Sequence, residues 1–256
     1  DSLLSQLDPH DLATMGRLNR LINSEVRSYF RRTFSVNRVL SPFVKDCDGF
    51  RAIQARTGTL VSGSTALQFF KRTVYTGADL DLYVPQHHTL DVATFLCDHE
   101  GYTFSPSEAQ GRTVKMAMNG LGARRVNDSY IGQGIAGVLD FSRDEKRVQI
   151  IVSKRSPIDI ILHFHSTAVM NILTHSTAYS LFPRLTFHKK LSRVLASSSS
   201  AAKPGPQWTA VRQKYIARGF SFVRILDEDE VRGSSARWIG DARTWTISVS
   251  PPLPHL

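Results

Sequence analysis

The chain has 256 residues, 41% of them apolar, with 14 Phe and 16 Gly, enough for one or two packed domains at about 150 residues each. Its 32 Lys+Arg against 22 Asp+Glu leave a net charge of +10, which favours polyanionic partners such as nucleic acid, nucleotides or an acidic protein face. With 21% charged residues and apolar runs only a few residues long, against the about 20 a bilayer span needs, the composition excludes low-complexity disorder and a membrane-spanning chain.

In chain order, Leu3, Leu4 and Leu7 make a short apolar stripe, and Asp8 with Pro9 reads as an N-cap and first helical residue. Leu12, Met15, Leu18, Ile22, Val26 and Phe30 recur at steps of three and four, which predicts an N-terminal helical hairpin within a segment 1–45. A helix over 49–56 leads into a strand over 59–62, broken by Gly63-Ser64, and Thr65–Arg72 starts another helix. Residues 78–84 alternate as a strand, stopped by Pro85. An amphipathic helix over 89–99 ends at Gly101, with a short strand at 102–104. Residues 124–126 and 137–141 read as extended, 142–145 as a turn, and 147–152 as a buried strand. Helices are expected from Ser156-Pro157 and over 167–173. The Ser-Ala-Lys-Pro-Gly-Pro stretch of 196–206 reads as a linker. Beyond it, a helix over 208–218 is capped by Gly219, and 236–249 suggests a hairpin around Gly240-Asp241. The expected architecture is α+β: a mixed sheet flanked by helices in a domain 46–195, the helical segment before it, and a small α/β extension, 207–256.

The segment richest in chemistry is Leu60-Val61-Ser62-Gly63-Ser64, followed by Asp79-Leu80-Asp81. Strand alternation puts Asp79 and Asp81 on one face and Leu80, Leu82 and Val84 on the other. Two carboxylates so close repel each other unless a cation sits between them, and hard oxygen donors suit Mg²⁺. The Gly63-Ser64 turn before a helix offers backbone N–H groups to an anion.

The order of apolar strand, Gly-Ser, helix and Asp-x-Asp resembles the nucleotidyltransferase fold, the superfamily of DNA polymerase beta, poly(A) polymerases and antibiotic-modifying enzymes. The resemblance covers roughly residues 55–195. It implies a Mg²⁺-dependent transfer of a nucleotidyl group from a nucleoside triphosphate to an acceptor hydroxyl, with pyrophosphate released and two ions engaged. Asp79 and Asp81 would bind metal, Gly63 and Ser64 the triphosphate, and Lys71 or Arg72 would neutralise phosphate charge. Such enzymes carry a third carboxylate on a later strand. Here that position reads Gln149, and Asp140 on the preceding strand is the conjectural replacement.

Residues 156–171, 178–183 and 214–220 further resemble a block found in uncharacterised proteins of mushroom-forming fungi, often behind an F-box-like N-terminus. His163 and His165 lie two apart, so on a helix they would not share a face, and core or capping roles are expected for them. The alternative is that His165, Ser166 and Asn171 contact the base or sugar of a nucleotide. Gly132, Gly134 and Gly137 do not have dinucleotide-fingerprint spacing and read as a loop.

Residues 1–34, with Leu7-Asp8-Pro9-His10-Asp11-Leu12 and the helix after it, resemble the later part of an F-box without its leading Leu-Pro element. That likeness implies docking on a Skp-type adaptor of a ubiquitin ligase. A catalytically degenerate binding module or adaptor is thus the alternative function, with nucleic acid or protein as possible acceptors or partners. Two widely spaced cysteines, Cys47 and Cys97, and no recognisable secretory leader suggest an intracellular protein, cytoplasmic or nuclear.

Overall fold

A computed structural model of the chain describes residues 2–7, 9–121, 134–195, 206–224 and 238–249. It begins with three helices, α1 (Ser2–Gln6), α2 (Pro9–Met15) and α3 (Arg20–Thr33). Asn19 caps α3 by accepting the Ile22 N–H at 2.9 Å. Leu4, Leu12, Val26 and Tyr29 form a small core of their own among these helices. After α4 (Val36–Leu40), α5 (Cys47–Thr57) is opened by Asp46, which accepts the Gly49 N–H, and closed by Gly58 at φ 68°. Strand β1 (Leu60–Ser62) runs directly into α6 (Gly63–Lys71), and β2 (Leu80–Pro85) follows.

Next come α7 (Thr89–Thr94), prolonged by a π turn over Phe95–His99, then β3 (Thr103–Phe104) and α8 (Val114–Asn119). The hairpin of β4 (Ile135–Arg143) and β5 (Lys146–Ser153) turns through Asp144 at φ 52°. After α9 (Pro157–Leu162) and a 3-10 turn at Thr167–Val169 come β6 (Asn171–Leu173), β7 (Thr177–Ser180) and β8 (Leu191–Arg193). The last described elements are α10 (Pro206–Ala217), β9 (Ser221–Val223) and β10 (Trp245–Ser248).

Eight of these strands make one mixed sheet in the order β10-β7-β6-β1-β2-β5-β4-β3. Every neighbouring pair is antiparallel except β2–β5. The parallel β8–β9 pair stands apart. Leu80, Leu82 and Val84 join Val61, Leu139, Val148, Ile150 and Val152 in the main core, which α4 to α7 cover on one face. Tyr83, Ile151, Met170 and Ile172 on the opposite face pack under Ile160 and Ile161 of α9. Alternation along β2 therefore sets which face receives Asp81. Among the described residues no helix is long and apolar enough to cross a membrane.

Three expectations need correction. Residues 171–173 form no helix: they pair with β1 on one side and β7 on the other. All three are buried, so neither the helical nor the strand period shows in the sequence. Around Gly240-Asp241 the chain makes a turn, with the Asp241 and Thr244 N–H groups bonded to the Trp238 and Asp241 carbonyls. The strand after it pairs with β7, and residues 236 and 237, where the expected hairpin begins, lie outside the described residues. Asp79 lies one residue outside β2. The segment 207–256, read as an extension, contributes β10 to the edge of the main sheet. The extended run expected at 124–126 and the linker up to residue 205 lie outside the described residues, as do Asp8 and Gly132.

Candidate functional site

The site begins at the junction of β1 and α6. Gly63 opens the helix at φ +67°, and a Cβ there would fall onto Oδ2 of Asp81. Glycine is therefore required both by the backbone conformation and by the carboxylate packed against it. Ser62 occupies the N-cap position yet makes no capping bond. Its hydroxyl donates to the Asn171 carbonyl at 2.6 Å instead. The first-turn N–H groups of α6 thus have no side-chain cap, and Gly63 and Ser64 line a cavity of about 270 Å³. An uncapped helix N-terminus at a cavity wall is suited to an anion.

Asp79 and Asp81 both line this cavity. Asp81 sits opposite Ser62 across β1 and beside Gln149 across β5. Burial and the negative charge of Asp79 push its carboxyl up to about 7, against a smaller opposing pull from Lys214. A carboxylate pair held this way lacks positive charge, and hard oxygen donors with that deficit fit a divalent cation. Gln149 also borders the cavity and can add only a neutral amide oxygen. Among the described residues no group of three His, Cys, Asp or Glu side chains is placed to hold a metal ion. Asp140, the conjectural third acid, lies across β4 from Gln149. Its Oδ1 accepts Gln149 Nε2 at 2.6 Å and Arg147 at 3.3 Å, and it does not border the cavity.

The opposite wall comes from α10, with Val211, Lys214 and Tyr215. Tyr83, Phe164, His165 and Val169 complete it. The His165 ring stands edge-on to Trp208 at 4.9 Å. Burial lowers its pKa to about 4, so the ring is neutral at pH 7, and its Nδ1 is buried without a hydrogen-bond partner. Ser166 and Asn171 are both buried, and neither borders the cavity. The Asn171 amide donates to the Ala168 carbonyl at 2.8 Å, holding the 3-10 turn.

Lys71 and Arg72 lie at the far end of α6 and are not brought to the cavity. Lys71 Nζ donates to the Arg218 carbonyl at 2.7 Å. Arg72, at φ 57°, donates to the Tyr29 hydroxyl and to the Leu7 carbonyl, tying α6 to the N-terminal helices. The cation at the cavity is Lys214 instead. Close behind it Arg218 donates to Ser64 Oγ at 3.0 Å and lies 4.0 Å from the Tyr75 ring centroid. Sequence reasoning passed over both, although Lys214 and Arg218, four apart on a helical segment, share a face. No family model matches this chain, and no curated protein or solved structure matches it either.

Proposed function

We propose that this protein binds a nucleoside triphosphate together with Mg²⁺ in the cavity between the sheet and α10, on a nucleotidyltransferase-type scaffold. The observation that carries the reading is the meeting of Asp79, Asp81, Ser64 and Lys214 at one cavity, around an uncapped helix N-terminus. Asp79 and Asp81 would hold Mg²⁺, which when bound supplies charge neutralisation to the phosphates. Ser64 Oγ accepts the Arg218 guanidinium and its hydroxyl also hydrogen-bonds the Tyr215 side chain, so a phosphate oxygen would take the Ser64 proton in place of Tyr215. Lys214 adds a positive charge, and Tyr83, Phe164 and Tyr215 offer aromatic surface to a base. The reaction class this arrangement serves is attack by an acceptor hydroxyl on the α-phosphate: the O–P bond to the acceptor forms, that to pyrophosphate breaks, and the hydroxyl proton passes to solvent water.

Calorimetry with ATP, GTP, CTP and UTP in the presence of Mg²⁺ tests the reading. At least one should bind in the micromolar range, and Asp79→Asn should weaken it at least tenfold. Failure of all four, or binding indifferent to Asp79, overturns it.

A second reading, binding without transfer, is favoured by the engagement of Asp140 with Gln149 and Arg147. In that form the N-terminal helices would dock the protein on a Skp-type adaptor. Their own core and the exposure of Leu3, Leu18 and Leu21 support this. Pull-down of the full chain with such an adaptor should succeed and be lost in Leu18→Asp/Leu21→Asp. A chain that never captures the adaptor removes the idea.

A further inference from the structure

How many cations the site accepts follows from the row of cross-strand neighbours Asp81, Gln149 and Asp140; the argument rests on the nucleotide reading above for what the cation accompanies. Residues in register across a sheet project to the same face, so this row presents acid, amide, acid. The outer acid is spent. Asp140 Oδ1 receives the Gln149 amide at 2.6 Å and the Arg147 guanidinium at 3.3 Å, and its negative charge is compensated by the arginine. The same bond fixes the Gln149 side chain in place by its donor end, leaving a neutral oxygen as its only contribution. Negative charge bordering the cavity therefore comes from Asp79 and Asp81, with Lys214 opposing it. A bound triphosphate brings negative charge of its own, but a second divalent ion would find no further carboxylate among the described residues of the cavity wall, where Lys214 already meets the phosphates.

We infer that the site takes one divalent cation, and that Gln149, gripped by Asp140, is the residue that excludes a second. The double variant Gln149→Glu/Asp140→Asn tests this with little change of shape. Each side chain keeps its length and the pair keeps a hydrogen bond of reversed polarity, the Asn amide now donating to the Glu carboxylate. A negative charge thereby moves from the outer strand to the cavity wall.

The experiment counts Mn²⁺ bound to the full chain by electron paramagnetic resonance, with and without a non-hydrolysable ATP analogue. Circular dichroism and the thermal midpoint verify that each variant is folded. With the analogue present, the natural chain should hold one Mn²⁺ and the double variant two, while Asp79→Asn should weaken the single site at least tenfold. Two ions in the natural chain, none, or still one in a folded double variant would overturn the inference. One Mn²⁺ bound equally with and without the analogue, the analogue itself failing to bind, would support the cation count and refute the nucleotide reading.

Discussion

Asp81 and His165 line the same cavity, and burial makes both neutral forms more favourable there. The consequences for stability have opposite signs. Asp81 titrates at about 7 in the folded chain and near 4 when unfolded. Between those values the native state holds more protons than the unfolded state, so its contribution to stability falls as pH rises. At about 1.4 kcal/mol per pKa unit the full loss, on the order of 4 kcal/mol, is reached above pH 7. His165 titrates at about 4 when folded and near 6.5 when unfolded, so its contribution is lost as pH falls through that interval. Asp81→Asn isolates the first effect. Its thermal midpoint should exceed that of the natural chain at pH 8, by several degrees, and the gap should close towards pH 4. Mg²⁺ should raise the midpoint of the natural chain at pH 8 and leave the variant unmoved. A gap that does not vary with pH would mean that the carboxyl is not held in a charge-poor pocket.

Helix α10 is the element on which the cavity depends; its span was legible in the sequence, but its place at the cavity was not. Its C-terminal end is fastened to α6 in two ways, Lys71 to the Arg218 carbonyl and Arg218 to Ser64 Oγ, and to the segment after α6 by the guanidinium over the Tyr75 ring at 4.0 Å. Arg218→Met keeps an unbranched apolar stem and removes the donors and the charge. It should weaken nucleotide binding about tenfold, or about 1.4 kcal/mol, because both Ser64 and Lys214 lose their support. Arg218→Lys should recover little, since an ammonium lacks the planar fork that bonds and stacks at once. Calorimetry on both variants decides, and unchanged affinity in Arg218→Met would show that α10 is anchored by its apolar contacts alone. The Asp-x-Asp strand was legible because alternation and charge are local properties of six consecutive residues. Lys214 was not, because its place at the cavity depends on a packing partner 150 residues earlier in the chain. β6 was unreadable for a different reason: a short strand buried on every side carries no alternation, and Ala168 to Leu173 fits a buried helix equally well. The grip of Asp140 on Gln149 needed the register of β4 on β5, which no spacing supplies.

At the scale of the whole molecule, the segments that composition divides are joined through one aromatic cluster. Trp245 of β10 lies 5.4 Å from Phe34, 5.0 Å from Phe70 and 5.9 Å from Phe187, ring centroid to centroid. These rings come from the end of the N-terminal helices, from α6 and from a π turn over Arg184–His188, before β8, so a single side chain near the C-terminus touches the helix that starts at the candidate site. Arg51, buried in α5, reinforces the closure by donating to the Val249 carbonyl at 2.9 Å, just beyond β10. If the C-terminal residues were an appendage, Trp245→Ala would leave the rest of the chain undisturbed and would reveal a separate, weaker unfolding step. The packing argues otherwise. Trp245→Ala should cost about 3 kcal/mol, the lower end for removing an aromatic from a core, since Trp245 is only partly buried. The loss should appear as a shift of one cooperative urea transition with its slope unchanged. Tryptophan fluorescence and far-UV circular dichroism should report the same midpoint in the natural chain, and nucleotide affinity should fall in the variant because α6 loses a packing partner. Two transitions at different urea concentrations, or a variant as stable as the natural chain, would make the C-terminal strand a passenger rather than a closing element of the sheet.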